Sequence, residues 1–399
     1  MEEDGQPSSA FAYYAQTKSF LPPRELDALM TDSVAAAASG WDSVSSPTEL
    51  ADVIEAHRGS LELLRQGAKA TEVILPAESA GNPAISAFLN AQVQELLPLG
   101  ALLIADAARK ASEGDPEGAR QDAWAALEIG DDLQIPGAPL PLAMAGTSLE
   151  SYGLDLLLRL GAGREELEAR LRSDRDPAQA WTHSLPMMSL AVGFLTQLPA
   201  QFPAGDEARF RQALSDLEAQ FGGGRFAQMS REEFDQALRP TNLKPAIERV
   251  RSAAEAVAAA RAENGTNSPE AQVALTSYKD TLTSAIETNP FVMVVAPPRL
   301  EPILVLAGLV RAKLLMATLA ATIQERGEPW DGDLATLDVD PSWLIDPITN
   351  RPFVAERIES GDWVLFGLSA EDLAARGLLP ETIRNYLPLG RMAIHVSAP

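Results

Sequence analysis

The stretch from residue 83 to residue 161 constrains the fold most, because apolar residues recur there at helical spacing through two successive helix pairs. Asn82 opens it as an N-cap side chain, followed by a proline at the first helical position. Pro98 falls inside the first periodic run, so that run fits either one kinked helix or two shorter ones. A tight turn at Glu113-Gly114-Asp115 joins it to the next helix. The pattern predicts antiparallel helical hairpins.

Local start signals predict more helices on both sides of this stretch. A short helix carrying Tyr13 and Tyr14 is predicted to pack against the body of the protein, and a second short helix to follow at Arg24–Thr31. Other starts are marked by capping boxes at Ser46–Glu49, opening a helix to about Gly67, and at Ser230–Glu233, and by the pair Ser268-Pro269. Helices are therefore expected over most of the chain.

The most apolar helix is predicted from Leu300 to Arg326. Arg311 and Lys313 lie at its centre, where each charge would cost about 2.5–3.5 kcal/mol in a bilayer. A buried core helix is therefore favoured over a membrane span.

Beyond this helix the sequence pattern changes from helical periodicity to turns and short strands. Phe353–Ile358 and Trp363–Phe366 are predicted to form a β-hairpin, to which Met392–Val396 adds a strand. The predicted fold class is mainly α, an irregular multi-helix bundle of antiparallel helical hairpins with a small C-terminal β-hairpin or sheet. We expect an N-terminal arm at 1–45, a helical body at 46–295, and at 296–399 the long core helix followed by a small α+β module.

Charge and cysteine content limit the function. The chain has 32 Lys and Arg against 56 Asp and Glu, a formal net charge of −24. Nucleic acid is therefore not expected as a partner, because binding it depends on cations that neutralise phosphates. The chain contains 0 cysteines. This excludes disulfides, thiolate catalysis and cysteine-ligated metals, and fits an exported bacterial protein.

The C-terminal region resembles a known ending. The long helix is followed by Gly327-Glu328-Pro329-Trp330, Asp346-Pro347, Pro352-Phe353 and Gly361-Asp362-Trp363-Val364-Leu365-Phe366. This run is similar to the ending of type II secretion pseudopilins. With Tyr13-Tyr14 and Leu21-Pro22-Pro23, the wider pattern resembles a group of uncharacterised envelope proteins of planctomycetes and myxobacteria. The resemblance implies an extracytoplasmic protein whose N-terminal signal or membrane anchor has been removed; a cytosolic protein is the alternative.

The same resemblance points to one cofactor, calcium, since major pseudopilins bind it in their terminal loops. Calcium takes six to eight oxygen ligands, which clustered carboxylates can supply. The spacing matches no EF-hand, and acidic loops are expected throughout so acidic a chain. The candidate ligands are Asp331, Asp333, Asp338, Asp340 and Asp346.

Two functional hypotheses remain. The first, favoured by the helical hairpins and the missing catalytic motifs, is a non-catalytic cell-envelope protein that binds another envelope protein, with its oligomeric state left open. The second is a small-ligand binder or hydrolase with a cleft between helical body and C-terminal module. Convergent carboxylates with shifted pKa values in a deep cleft would favour the second. The candidate partner or ligand surface consists of Met187, Met188, Phe194 and Trp330.

Overall fold

The computed structural model describes residues 9–17, 23–70, 72–73, 83–134, 140–172, 192–193, 195–202, 206–221, 225–264, 268–295, 300–326, 330–347, 351–357, 362–369 and 391–396. The protein is mainly helical with a small C-terminal antiparallel sheet, which confirms the predicted fold class. It forms two compact units. Unit 1 contains residues 1–75, 89–181 and 301–399, and unit 2 contains residues 76–88 and 182–300. The predicted division into arm, body and terminal module stays a prediction.

The first half of the chain supplies helices α1 to α8. They run α1 Ala10–Tyr14, α2 Pro23–Ser39, α3 Pro47–Ala56, α4 Arg58–Ala68, α5 Pro83–Ser112, α6 Pro116–Asp132, α7 Leu140–Leu160 and α8 Arg164–Arg172. Helix α5 is continuous through Pro98, so the pattern marks one helix rather than two. The turn before α6 is as predicted: Gly114 has φ +90° and the Asp115 carboxylate accepts the Gly118 N–H.

The aromatic residues of α1 pack as predicted. Tyr14 is fully buried, and its ring lies against Gly67 of α4, where an added Cβ would be 2.2 Å from the ring. Its hydroxyl donates to the Asp132 carboxylate at 2.6 Å. Burial, with the Asp132 charge beside it, raises the Tyr14 pKa well above 10.0. The next helix, α2, is longer than predicted, because an Ala-rich run extends it to Ser39.

One predicted helix is divided in two. The helix expected from Ser46 to about Gly67 stops at Ala56 and restarts at Arg58. The buried His57 lies between, with its Nδ1 2.8 Å from the Val53 carbonyl oxygen. The capping box predicted at Ser46 was also wrong: among the described residues its side chain makes no cap hydrogen bond, and the Asp32 carboxylate accepts the Ser46 N–H instead.

Helices α6 and α7 form an antiparallel pair in backbone contact. A Cβ on Gly146 would lie 2.4 Å from the Gly130 carbonyl oxygen, and one on Gly153 would lie 3.0 Å from the Ala123 carbonyl oxygen. These approaches leave no room for a side chain at either glycine. The glycines therefore set the distance between the helices.

We expect Gly146→Val to destabilise the protein by about 1–3 kcal/mol, because the added atoms must push α6 away from α7. Gly59 gives the control, since a Cβ there would meet nothing within 4 Å. Gly59→Ala should stabilise helix α4 by about 0.5–1 kcal/mol. Urea unfolding measures both changes. Equally small changes in stability at the two sites would show that α6 and α7 can move apart at little cost.

Helix α15, Leu300–Glu325, belongs to unit 1 from residue 301 onward. Residues 307–310 and 312–323 are all buried, so the predicted core helix is confirmed. The Lys313 ammonium lies 2.7 Å from an Asp155 oxygen and donates to the Ser151 hydroxyl at 2.8 Å, both on α7. Among the residues that the structure describes, no helix is long and apolar enough to cross a membrane.

The C-terminal strands belong to two small antiparallel sheets. Strands β1 Ile345–Asp346 and β2 Arg351–Pro352 pair with each other, and β3 Val354–Arg357, β4 Trp363–Ser369 and β5 Arg391–Val396 form a sheet in that order. The predicted hairpin and added strand are thus confirmed, with Arg357 opposite Trp363 and Trp363 opposite Val396.

Unit 2 contains helices α9 to α14. They run α9 Leu198–Gln201, α10 Glu207–Phe221, α11 Arg231–Ala237, α12 Pro240–Asn264, α13 Pro269–Thr288 and α14 Val292–Val295. The Ser230 capping box and the Ser268 cap both form as predicted. Five phenylalanines stack edge to face with ring centroids 5.2–6.2 Å apart, and they join α10 and α11 to the segment that precedes α14: Phe202, Phe210, Phe226, Phe234 and Phe291.

Candidate functional site

An open cleft of about 870 Å³ lies in unit 2, where α11, the start of α12 and the end of α13 meet. Its volume is in the upper part of the range for ligand sites, about 300–1,000 Å³. Phe226 and Phe291, which follow the lining residues Arg225 and Pro290 in sequence, are fully buried and pack on each other, so both segments are anchored in the core of the unit. We call it the polar cleft, because most of its lining carries amide or hydroxyl groups: Gln228, Gln236, Thr241, Asn242, Thr288 and Asn289, together with Arg225, Met229, Glu233, Ala237 and Pro290.

Part of this lining holds the cleft in shape. The Asn289 amide donates to the Ala237 carbonyl at 2.7 Å, tying the end of α13 to the end of α11, and its oxygen accepts the Phe291 N–H at 3.1 Å. The Asn242 amide donates to the Gln236 carbonyl at 2.8 Å. The bond from Asn289 also gives a hydrogen-bond partner to a carbonyl at the end of α11.

Three polar side chains of the lining face solvent and are available to a ligand. Gln228, Gln236 and Thr241 are exposed, and their side chains make no hydrogen bond to any residue that the structure describes. Each amide carries two donors and an acceptor, and the hydroxyl carries one donor and two acceptor lone pairs. The cleft therefore presents unused groups that both donate and accept.

The cleft contains one basic and one acidic side chain. Arg225 donates to the Ile286 carbonyl at 3.0 Å, which fixes its guanidinium at the end of α13. The Ser230 N–H and hydroxyl hydrogen bonds lower the pKa of the Glu233 carboxyl, so it is ionised at neutral pH. The two charges balance, and the cleft offers no excess of either sign to a ligand.

A carboxyl with a strongly shifted pKa lies elsewhere, in the interior of unit 1. Glu150 of α7 is 2% exposed and accepts from Arg170 of α8 at 2.7 Å and from Gln134 at 2.7 Å. Asp131, at the end of α6, also accepts from Arg170. Burial raises the pKa of Glu150 to about 8, and the Asp131 charge adds to the rise, while Arg170 and Gln134 oppose it. One guanidinium thus serves two buried carboxyl groups from two helices.

A second buried ionic cluster joins α4, α5 and α6. The Arg65 guanidinium contacts the carboxylates of Asp106 and Asp122, each at 2.7 Å, and Lys110 reaches Asp122 at 2.6 Å. Arg109 donates to Asp106 at 2.7 Å, and that bond and the nearby cations outweigh burial and lower the Asp106 pKa. In both clusters each buried carboxyl group is paired with a cation from another part of the fold, so the clusters join helices.

The five predicted calcium ligands do not converge. Asp331, Asp333 and Asp340 each cap a backbone N–H two residues ahead, at 2.8–3.1 Å, which shapes the local turns. Asp338 is exposed, and Asp346 is 2% exposed in β1. Over the described ranges, no three acidic or histidine side chains are grouped so that they could hold a metal. Calcium binding stays a prediction.

The predicted ligand surface is only partly described. Met187, Met188 and Phe194 lie outside the described residues. Trp330 is 7% exposed, and its ring packs on that of Trp363 with centroids 4.8 Å apart. Gly332, at φ +93°, permits this contact, because a Cβ there would lie 2.4 Å from the Trp363 ring. In this structure Trp330 supports the C-terminal sheet.

The residues of the polar cleft were missed at the sequence level. Gln228, Gln236 and Thr241 are ordinary exposed polar residues in sequence, and three separate segments bring the cleft together. The capping signal at Ser230 locates α11, but it does not indicate which helices meet it. Only the tertiary structure therefore reveals this site.

Comparison with protein-family models, with curated proteins and with solved structures found no match for this chain.

Proposed function

We propose that the protein is a non-catalytic, extracytoplasmic protein of the cell envelope that acts by binding another protein, and that the partner binds in the polar cleft of unit 2. The observation that carries this proposal is the set of unused amide and hydroxyl groups in an open cleft. A protein surface offers many polar groups that can form hydrogen bonds with these amides and hydroxyls, and protein–protein interfaces usually contain several direct hydrogen bonds.

The distribution of ionisable groups also favours binding over catalysis. An active site usually combines a cleft with groups whose pKa values are shifted toward the working pH. In this protein the polar cleft lies in unit 2, and its carboxylate, Glu233, has a lowered pKa because it caps a helix. The raised pKa of Glu150 belongs to a buried side chain in unit 1 that is paired with Arg170.

The extracytoplasmic location is supported by the absence of cysteine and by the resemblance to envelope proteins. Fractionation of the source organism tests it directly. Recovery of the protein with the envelope fraction is the expected result, and recovery with the cytosolic fraction would remove this part of the proposal.

Affinity capture from an envelope extract tests the binding function. The cleft variant combines Gln228→Ala, Gln236→Ala and Thr241→Ala, three exposed positions whose side chains bond to none of the described residues, so the fold should be retained. The matched control changes the same residue types at exposed positions outside the cleft: Gln324→Ala, Gln272→Ala and Thr283→Ala.

We expect the wild type and the control to retain the same protein partner, and the cleft variant to retain at least about tenfold less of it, because three hydrogen bonds of about 0.5–1.5 kcal/mol each are lost. Mass spectrometry with isotope-labelled extracts measures the ratio. A partner retained equally by all three proteins would show that it binds another surface.

A further inference from the structure

The chemistry of the polar cleft narrows the kind of partner. Aromatic rings provide the usual stacking platform for nucleobases, and none stands among the lining residues that the structure describes. One arginine balanced by one glutamate does not select a strongly charged ligand.

The exposed amide and hydroxyl groups of the cleft can form hydrogen bonds with the N–H and carbonyl groups of a peptide bond. A polypeptide main chain presents one N–H donor and one carbonyl acceptor per residue. The side-chain amide of Gln228 or Gln236 can accept from the N–H and donate to the carbonyl of such a residue, and the Thr241 hydroxyl can do the same. A compact globular surface has already used most of its main-chain groups internally, whereas an extended segment has not.

The shape of the cleft agrees with this match. It is open to solvent, so a chain can cross it without its ends being enclosed. The helix ends that form it are held in place by hydrogen bonds from Asn289, which links α13 to α11, and from Asn242, which caps α11. A rigid site lowers the entropy lost on binding a flexible chain.

We propose that the polar cleft binds an extended polypeptide segment of the partner through its main-chain amides, with little dependence on the side-chain sequence. This rests on the proposed function, since it names the part of the partner that is recognised. Arg225 and Glu233 lie beside the amides and carry opposite charges, so segments with both acidic and basic residues bind as well as neutral ones.

The test uses the full-length protein and fluorescently labelled linear peptides of mixed sequence, about twelve residues long. Each peptide is synthesised in three forms: the original, a scrambled sequence, and a version with every second main-chain nitrogen methylated. Fluorescence anisotropy measures their affinity for the wild type, the cleft variant and the control variant. Neutral oligosaccharides serve as competitors, because their hydroxyls could also bond to side-chain amides.

We expect scrambling to change the affinity by less than about threefold, and N-methylation and the cleft variant each to lower it about tenfold or more, since each removes several hydrogen bonds. The control variant should bind like the wild type. Binding of no peptide, affinity that depends on sequence but not on N-methylation, or displacement by the oligosaccharides would overturn the inference.

The failure of this inference can be separated from failure of the proposed function. If a protein is captured through the cleft but no linear peptide binds, the partner is recognised as a folded surface and only the inference fails. If neither a protein nor a peptide depends on the cleft, both are wrong.

Discussion

Replacing Arg170 by methionine is expected to lower the free energy of unfolding by about 3–5 kcal/mol, the range found when one partner of a buried ion pair is removed. The Arg170 side chain is 9% exposed, while those of Asp131 and Glu150 are 4% and 3% exposed. Methionine fills a similar volume, so the loss comes from leaving Asp131 without its cation. Helix α8 should detach from α6 and α7 first.

The matched control is Arg58→Met. Arg58 also pairs with a glutamate, at 2.7 Å, but its side chain is 73% exposed. Exposed pairs contribute at most about 1 kcal/mol, so this change should be nearly neutral. Arg170→Lys should recover part of the loss, because lysine restores the charge but cannot reproduce the planar guanidinium that donates to both carboxyl groups. Equal losses for Arg170→Met and Arg58→Met would contradict the buried-cluster account.

Tryptophan fluorescence during urea unfolding suits these measurements. The six tryptophans stand at positions 41, 124, 181, 330, 343 and 363, all within the residue ranges of unit 1. The signal therefore follows the unit that contains the mutated cluster, even if unit 2 unfolds at another urea concentration.

The second large effect is a loss of stability as the pH rises. The pKa of Glu150 is raised by burial from an ordinary value of 4.5 to about 8, with the Asp131 charge adding to the rise. Between these two values the unfolded chain has released the proton and the folded chain still holds it. The stabilisation is therefore complete below about pH 4.5 and is lost as the pH rises toward 8, by up to about 1.4 kcal/mol per pH unit.

Glu150→Gln tests this linkage, because its amide cannot ionise. We expect the wild type to lose stability between about pH 5 and pH 8 more steeply than the variant, by up to the slope that one proton allows. Glu117→Gln is the control, since the Glu117 side chain is 66% exposed, and its profile should follow the wild type. Parallel profiles for all three proteins would show that Glu150 is already ionised in the folded state.

Much of the fold is predictable from local signals. Ser268-Pro269 fixes the start of α13, the Ser230 capping box fixes that of α11, and the glycine turn before Asp115 fixes the α5–α6 hairpin. Each works through hydrogen bonds or backbone angles within a few residues, so no tertiary information is needed.

The structural features that the sequence did not predict depend on contacts between residues far apart in the chain. His57 interrupts a helix at a buried position. Ser46 loses its predicted cap because Asp32, from the preceding helix, accepts its N–H. Arg170 and Glu150 look like ordinary surface charges until three helices bring them together. The polar cleft is missed for the same reason, since its lining comes from separate segments.

If the protein is exported as proposed, the lysine at the centre of helix α15 also affects how the chain crosses the membrane. An exported chain crosses the translocation channel unfolded, and an apolar segment as long as Leu300–Glu325 risks being released sideways into the bilayer. Lys313 and Arg311 make that release unfavourable by about 5–7 kcal/mol on insertion scales. After folding, Asp155 neutralises Lys313 in the core. The same charge can therefore keep the helix from becoming an unintended anchor during transit and fasten it to α7 afterwards.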